Sequence, residues 1–463
     1  MAGTRGSWVP ALGGVWTLIK ALPRGWWGVA RNLDGQTPLS LLRLRADEHG
    51  ERAALIDAEG TWTYAELAAA VAEAAQDLGR VRTVIIASSS RSRVLVGVLA
   101  AITAGCRTIV MSRRAGSHAV DTLIASQPGA AAIGDGPELV EAPPHQDQDR
   151  REGGRSATAY EALRIPTLIF ATSGTTGTPK LIDADPGGGP QLFSLLGRLS
   201  LPRSPVVCCL APLDHGHGGA VALVTLALGG TVVTDPSQVA QVDLLTGVPV
   251  QLLELARAQR RPIPGRPRLR AKVVLSGSDR LTDAEADELA DVFTAHVFNA
   301  YGATEVATVC LSDAQDRRRA PGTVGRPLAG VRIEAVDDEG RPVGSGVTGR
   351  LRITVGSQRE GRTFEGDAGF VDAHGYVHVV GRADGVRVSG GENTSPAAVE
   401  AWLTALPGVR EVRLVEVPDV RFGHRLIAKL YLDPGVHLDG QALRERLAEE
   451  LGPANVPARI DLY

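Results

Sequence analysis

A short loop of glycines and hydroxyl side chains, followed by one lysine, is the part of this sequence best suited to bind phosphate. It spans residues 172–180 and comes directly after the apolar, β-prone run 167–171. Gly174 and Gly177 leave room for an anion, and exposed backbone N–H groups can wrap a polyphosphate. The side chains that can add hydrogen bonds and a mobile positive charge are Thr172, Ser173, Thr175, Thr176 and Lys180.

This loop is not a Walker A loop, because no Ser or Thr follows Lys180 and the glycine spacing differs. A solvated linker could have the same composition, but the strand predicted before the loop favours a binding role. The stretch resembles the phosphate-binding signature of the acyl-adenylate-forming superfamily, which includes acyl-CoA ligases, aryl-acid ligases and peptide-synthetase adenylation domains. The resemblance extends over most of the chain, because further motifs follow in the family's order.

A second segment, residues 299–305, resembles the nucleotide motif of that family. The resemblance implies that Tyr301 stacks on adenine beside Gly302 and that Thr304 touches the α-phosphate. It also implies that Glu305 holds Mg²⁺, and a carboxylate suits a hard cation that bridges phosphates. Tyr-Gly pairs also occur in ordinary turns, so this motif gains its weight from the series.

Two later motifs complete the expected nucleotide site. Residues 364–367 resemble the family segment whose aspartate binds both ribose hydroxyls, which makes Asp367 the candidate. Residues 381–384 resemble the motif with a second ribose contact, Arg382, and a hinge between two domains, Asp384.

The acid pocket is predicted from residues 212–218, where acyl-CoA synthetases place a histidine beside the acyl group. His215 is the counterpart of that histidine, and Asp214 replaces the usual aromatic residue. A charged group beside an acyl tunnel must be solvated, paired or matched to a polar substrate. A structural role is the favoured interpretation of His217. The other residues predicted to line the pocket or lie near adenine are Gly218, Ser276, Gly277 and Ser278.

The end of the sequence departs from the family. Relatives carry a lysine in a C-terminal loop that acts during adenylation, but no lysine follows Lys429 here. Lys429 lies in an alternating run that predicts a strand, and Arg459 does not replace a compact ammonium group. By analogy with a deleted oxyanion donor, such a loss costs about 3–4 kcal/mol in the transition state. We therefore expect a truncated C-terminal domain with impaired adenylation.

Composition excludes several other classes of protein. The chain has 463 residues, 44% of them hydrophobic, with a net charge of −3, so it is an ordinary globular protein with no sign of a nucleic-acid partner. Its four cysteines lack metal-type spacing, which predicts buried thiols in a reducing cytoplasm. Only four lysines occur among 49 basic residues, yet Lys180 lies in the phosphate loop.

The expected fold is α/β: a large N-terminal domain of mixed, mainly parallel sheets with a β-rich subdomain, plus a small C-terminal α+β domain. The predicted divisions are an amphipathic segment at 1–34, an adenylate-forming domain at 35–383 and the small domain at 384–463. The first segment holds four of the six tryptophans. Packing on the N-terminal domain is the favoured interpretation, and peripheral contact with the inner face of the membrane is the alternative.

The resemblance implies an enzyme that activates a carboxylic acid with ATP and Mg²⁺ as acyl-AMP and transfers it to a thiol, most simply CoA. It is closest to the fatty-acyl-CoA synthetase branch, which implies a role in fatty acid metabolism. Two alternatives remain open at this point. One is a secondary-pathway enzyme with an unusual acid or acceptor, which Asp214 favours. The other is an inactive nucleotide-binding relative, which the absent lysine and Glu365 favour.

Overall fold

The computed structural model describes most of the chain in segments. They are residues 38–79, 81–113, 117–136, 140–141, 168–172, 180–184, 189–261, 268–356, 362–382, 387–389, 392–394, 396–419 and 423–463. The predicted amphipathic segment 1–34, loop residues 173–179 and the hinge residue Asp384 lie outside these ranges.

The first sheet has six strands and begins the α/β alternation. Its order is β6-β5-β3-β4-β7-β8, with β3, β4, β5 and β7 parallel and the two outer strands antiparallel. Strands β3 and β4 are apolar on both faces, as expected for parallel strands that helices cover. The strand bounds are β3 Thr83–Ile86, β4 Arg107–Met111, β5 Ala131–Ile133, β6 Val140–Glu141, β7 Leu168–Thr172 and β8 Lys180–Asp183.

The second sheet has nine strands and forms the centre of the molecule. Its order is β15-β14-β13-β12-β11-β9-β10-β1-β2, with the six strands from β13 to β1 parallel. The bounds are β1 Ala53–Asp57, β2 Gly60–Thr63, β9 Val206–Cys209, β10 Thr231–Val233, β11 Gln241–Gly247, β12 Arg270–Gly277, β13 Val297–Ala303, β14 Ala307–Ser312 and β15 Arg326–Pro327.

Helices cover these two sheets and supply most of the core. The bounds are α1 Pro38–His49, α2 Tyr64–Leu78, α3 Arg91–Thr103, α4 Ser117–Ala125, α5 Gly189–Leu199, α6 Gly216–Ala227, α7 Pro249–Arg260, α8 Asp283–Val292 and α9 Ala314–Arg319. The sequence predicts two helix starts from the capping-box spacing of Thr63 with Glu66 and of Thr282 with Glu285. Helices α2 and α8 begin at these two capping boxes. Both helix starts are confirmed.

A β-rich unit and a small α+β unit follow. Strands β16 Val331–Val336, β17 Gly349–Val355, β18 Arg362–Val371 and β19 Val377–Arg382 form an antiparallel sheet. After a β20 Arg387–Ser389 and β21 Glu392–Thr394 hairpin, the last sheet contains β22 Val409–Asp419, β23 Gly423–Leu432 and β24 Arg459–Leu462. Helices α10 Pro396–Thr404 and α11 Gly440–Leu451 bury Leu403 and Leu447 in the core of this unit.

The predicted fold class is confirmed by this arrangement of sheets. The four cysteines are free and buried, as predicted, and burial raises the pKa of Cys208 and Cys209 to about 12. Lys429 lies within β23, as predicted. Among the described residues, no helix combines the length and apolar character needed to cross a bilayer. The domain boundaries remain a prediction.

Candidate active site

Three residues predicted to bind the nucleotide meet although they come from separate motifs. The hydroxyl of Tyr301, on β13, donates a hydrogen bond of 2.6 Å to Oδ2 of Asp367, on β18. Arg382 lies directly opposite Asp367 in the β18–β19 register, and its guanidinium is 3.7 Å from the other carboxylate oxygen. The central sheet and the β-rich sheet therefore join at this cluster.

The Tyr301 hydroxyl is held in its protonated form. Burial, followed by the charge of Asp367 and the hydrogen bond to it, raises the pKa of Tyr301 far above its usual value. The hydroxyl therefore donates to Asp367 throughout the physiological pH range. Asp367 is buried, so a neighbouring donor and an arginine offset the cost of its charge.

Thr304 lies against the first residue of helix α6. A Cβ atom added to Gly216 would be 3.2 Å from Oγ1 of Thr304, so a larger residue would displace the threonine. His215 is the N-cap of this twelve-residue helix, and its side chain makes no capping hydrogen bond. The positive end of the helix dipole therefore begins beside the threonine expected at the α-phosphate.

Asp214 is paired inside the protein, which explains its departure from the family pattern. Its Oδ1 lies 2.8 Å from Nδ1 of His215. Burial acts to raise the pKa of Asp214, but hydrogen bonds from His215 and Ser112 outweigh burial and lower it. Ser112 directly follows β4, so its hydrogen bond to the Asp214 carboxylate connects the first sheet with the segment that begins α6. Nδ1 of His215 donates toward the carboxylate, which fixes the orientation of the ring.

Lys180 and Thr172 lie at the two ends of the predicted phosphate loop. They are paired partners in the antiparallel β7–β8 register, so the loop 173–179 connects the two strands of a hairpin. The lysine is exposed at the start of β8. The predicted ligands Ser173, Gly174, Thr175, Thr176 and Gly177 belong to that loop and lie outside the described residues.

Glu305, the last residue of the nucleotide motif, is half-buried. Within the described residues, no group of three or more His, Cys, Asp or Glu side chains is arranged to hold a metal ion. A lone carboxylate nevertheless fits Mg²⁺, which usually takes one or two protein carboxylates and completes its shell with substrate phosphates and water. The donor set therefore suits a metal that arrives with a polyphosphate.

The predicted pocket residues occupy different environments. Ser276 is fully buried, whereas Ser278 is exposed with a left-handed backbone, φ 65°. Gly277 lies against the ring of His217, because an added Cβ would be 3.3 Å from its Cε1. Gly218 packs so tightly that an added Cβ would overlap the carbonyl oxygen of Pro212. Only glycine therefore fits at position 218, in the first turn of α6.

A hydrogen-bonded group that sequence reasoning missed lies beside these residues. His217 contacts Oγ of Ser278 through Nδ1 at 3.1 Å and Oγ1 of Thr246 through Nε2 at 2.9 Å. Thr246 lies on β11 and belongs to none of the motifs described above. Its position at the carboxyl end of a parallel strand, next to Gly247, is a signal that could have drawn attention to it.

Comparison with known proteins identifies the family. Residues 42–358 match the sequence profile described as AMP-binding enzyme, so the chain belongs to the AMP-binding family. It is similar to a feruloyl-CoA synthase of Amycolatopsis, with 30% identity over 64% of this chain and 65% of that protein. It is also similar to a 2-succinylbenzoate–CoA ligase of Geobacillus kaustophilus, with 27% identity over 90% of this chain and 92% of the relative.

A solved structure agrees with these sequence matches. The amide bond synthetase McbA from Marinactinospora thermotolerans superposes with a TM-score of 0.73 and 24% identity, over 91% of this chain and 95% of that one. This likeness shows the fold. The chain spans only 58–65% of the length of several curated relatives that it matches.

Proposed function

We propose that this protein activates a carboxylic acid with ATP, forming an acyl-adenylate and pyrophosphate, and then transfers the acyl group to a thiol, most simply CoA. The observation that carries the proposal is the meeting of Tyr301, Asp367 and Arg382. These residues come from three segments that resemble motifs of the AMP-binding family. Their contact supports the proposal that Tyr301, Asp367 and Arg382 bind the adenine and the ribose of one nucleotide.

The first step requires the carboxylate of the acid to attack the α-phosphorus of ATP in line with the departing pyrophosphate. Two negatively charged reactants must be held together, so positive charge and hydrogen-bond donors supply most of the catalysis. The positive end of α6 lies beside Thr304, and Lys180 lies at the end of the phosphate loop. We assign Thr304 to the α-phosphate and Lys180 to the departing phosphates.

We assign Mg²⁺ to Glu305, where the metal would offset charge on the phosphates. His215 would lie beside the acid carboxylate, oriented by the 2.8 Å contact of its Nδ1 with Asp214. The second step requires attack of a thiol on the acyl carbon, which releases AMP. The proposed movement of the small domain about Asp384 would admit that thiol.

The named relatives suggest which chemical classes of acid this protein activates. One is named for ferulate and another for 2-succinylbenzoate, so aryl acids join the fatty acids that the motifs favour. The free, buried thiols of all four cysteines support a reducing compartment such as the cytoplasm.

Pyrophosphate release tests the proposal. The purified chain is mixed with ATP·Mg²⁺ and each member of a panel containing fatty acids, ferulate and 2-succinylbenzoate, with and without CoA. We expect release that depends on one class of acid. Lys180→Ala should lower the rate by about 10²–10³, by analogy with the loss of a preorganised charge.

Lys272→Ala is the matched control for that variant. Lys272 is exposed, its Nζ lies 2.8 Å from Oδ1 of Asp243, and neither residue belongs to the proposed site, so its loss should leave the rate unchanged. Release that is equal with and without every acid, or equal in the Lys180 variant and the wild type, would contradict the proposed function.

A further inference from the structure

The hydrogen-bonded group formed by Thr246, His217 and Ser278 has a defined direction of proton donation. Thr246 has a single hydroxyl hydrogen, and it donates that hydrogen to the carbonyl oxygen of Leu275 at 2.8 Å. The contact of 2.9 Å between Oγ1 of Thr246 and Nε2 of His217 therefore needs a hydrogen on the imidazole. His217 is thus protonated at Nε2.

The second nitrogen of His217 then accepts a hydrogen bond. Burial lowers the pKa of His217 to about 4, so the ring is neutral near pH 7 and Nδ1 carries no hydrogen. Oγ of Ser278, 3.1 Å from Nδ1, must donate. The hydroxyl hydrogen of Ser278 is therefore committed to the histidine.

Ser278 consequently presents only lone pairs to anything that binds beside it. Its side chain is exposed, in contrast to the fully buried Ser276 two residues earlier. A serine hydroxyl normally adapts by rotating between donor and acceptor roles. Here that freedom is removed, so a second acceptor facing Ser278 would find no hydrogen to share.

This acceptor lies close to the residues assigned to the reaction. His217 follows Gly216, which contacts Thr304, and the histidine ring contacts Gly277 on the other side. Gly277 in turn lies near Ala300, the second residue of the nucleotide motif, because an added Cβ would be 3.6 Å from that of Ala300. In the proposed function, an acid whose carboxylate approaches the α-phosphate beside Thr304 would have this group as a neighbour.

We infer that Ser278, held by His217 and Thr246, selects acids that carry a hydrogen-bond donor, a hydroxyl or an N–H group, over isosteric acids that carry an acceptor or a methyl group there. The inference rests on the proposed function and narrows its substrate class. Ser278 would contact the substrate, whereas His217 and Thr246 act as positioning residues. When a bound acid covers Ser278, a donor on the acid pairs with the serine oxygen, whereas an acceptor meets only lone pairs and a methyl group leaves the oxygen without a partner, which is what makes such selection possible.

Binding of matched acids tests the inference without requiring turnover. The panel contains benzoates and cinnamates with a hydroxyl, methyl or formyl group at ring positions 2, 3 and 4. The Kd of each is measured by calorimetry in the presence of a non-hydrolysable ATP analogue. At one ring position at least, we expect the hydroxy acid to bind about 10-fold more tightly than both counterparts.

Variants separate direct contact from a structural effect. Ser278→Ala should bring the hydroxyl-to-formyl ratio close to one. Thr246→Val removes the acceptor for Nε2 without touching the substrate, so the ring can protonate Nδ1 and free the Ser278 hydroxyl to donate. The ratio should then fall or invert. Ser200→Ala is the matched control, because Ser200 is also exposed and left-handed, with φ 49°, and should keep the wild-type ratio.

The tautomer of the His217 ring can be measured by ¹⁵N spectroscopy of labelled histidine. The signal of His217 among the ten histidines is the one that disappears in His217→Gln. We expect the Nε2–H form in the wild type and its loss in Thr246→Val. An Nδ1–H or doubly protonated ring, formyl acids that bind as tightly as hydroxy acids at every position, or no binding by any member would overturn the inference. Failure of pyrophosphate release with a preserved Kd ratio would contradict only the proposed function.

Discussion

The cluster proposed to bind the nucleotide and the group proposed to contact the acid differ in how they hold their polar atoms. Tyr301, Asp367 and Arg382 form an ionic cluster in which a buried carboxylate is offset by an arginine and a phenol. Thr246, His217 and Ser278 form a neutral chain of hydrogen bonds with one direction. In the proposed function, charge positions the nucleotide, and the direction of proton donation selects among acids that differ by one group.

Removing the charge of the cluster formed by Tyr301, Asp367 and Arg382 should have the largest effect on enzyme kinetics among the variants considered. In Asp367→Asn, the amide keeps the shape but loses the attraction of Arg382 and the charge-assisted bond from Tyr301. A hydrogen bond to a charged group contributes about 1.5–3 kcal/mol, so KM for ATP should rise by roughly 10–100-fold. Steady-state kinetics at saturating acid measure this value.

Tyr301→Phe is the companion variant, since it removes the charge-assisted hydrogen bond to Asp367 but keeps the Asp367–Arg382 pair and the ring that is expected to stack on adenine. We expect a rise in KM for ATP of about 10-fold, at the lower end of the range for Asp367→Asn. A larger effect for Tyr301→Phe than for Asp367→Asn would show that the cluster does not depend on charge.

A substitution at Gly216, which lies between the two groups, should have an intermediate effect on enzyme kinetics. Gly216→Ala places a methyl group 3.2 Å from Oγ1 of Thr304 and moves the threonine away from the expected α-phosphate position. We expect kcat to fall by about 10-fold, because small misplacements of reacting groups are costly. KM for ATP should change little.

Gly197→Ala provides the matched control for that helix substitution. Gly197 lies within α5, and an added Cβ there meets nothing within 4 Å. Alanine should stabilise that helix by up to about 1 kcal/mol and leave kcat unchanged. Equal rates in the two variants would mean that the contact between Gly216 and Thr304 has no part in catalysis.

The smallest expected effect concerns stability and pH. His217 has a pKa of about 4 in the folded protein against 6.5 when unperturbed, so the unfolded chain binds more protons between these values. Stability should therefore fall as pH is lowered from about 6.5 towards 4. Melting temperatures at pH 7, 5.5 and 4.5 should decline less steeply in His217→Asn. Parallel declines in variant and wild type would show that His217 titrates normally.

The local sequence was sufficient to predict features that depend on neighbouring residues. The capping boxes before α2 and α8 specify helix starts through side chains three residues apart. The motif residues Tyr301 and Asp367 were identified because their types and spacing match a family pattern. Their direct hydrogen bond joins two sheets and depends on tertiary packing, which short motifs do not encode.

Features that depend on pairing between strands far apart in the sequence were not predicted. Strand β1 pairs with β10, nearly 180 residues later, which brings the N-terminal strands into the central sheet. The polar composition of residues 135–158 predicts an exposed surface loop, yet strand β6 lies in this stretch and pairs with β5 through two residues. The hydrogen bonds of His217 could not be predicted for the same reason, because its partners Thr246 and Ser278 come from two separate strands or strand ends.

The most direct test of adenylate formation follows an oxygen atom from the acid. The preferred acid, labelled with ¹⁸O in its carboxylate, is incubated with ATP·Mg²⁺ and CoA, and the phosphate products are analysed by mass spectrometry. Attack of the carboxylate on the α-phosphorus, followed by thiol transfer, places one ¹⁸O in AMP and none in pyrophosphate. Label in inorganic phosphate with formation of ADP, or no transfer of label to AMP, would contradict the proposed reaction.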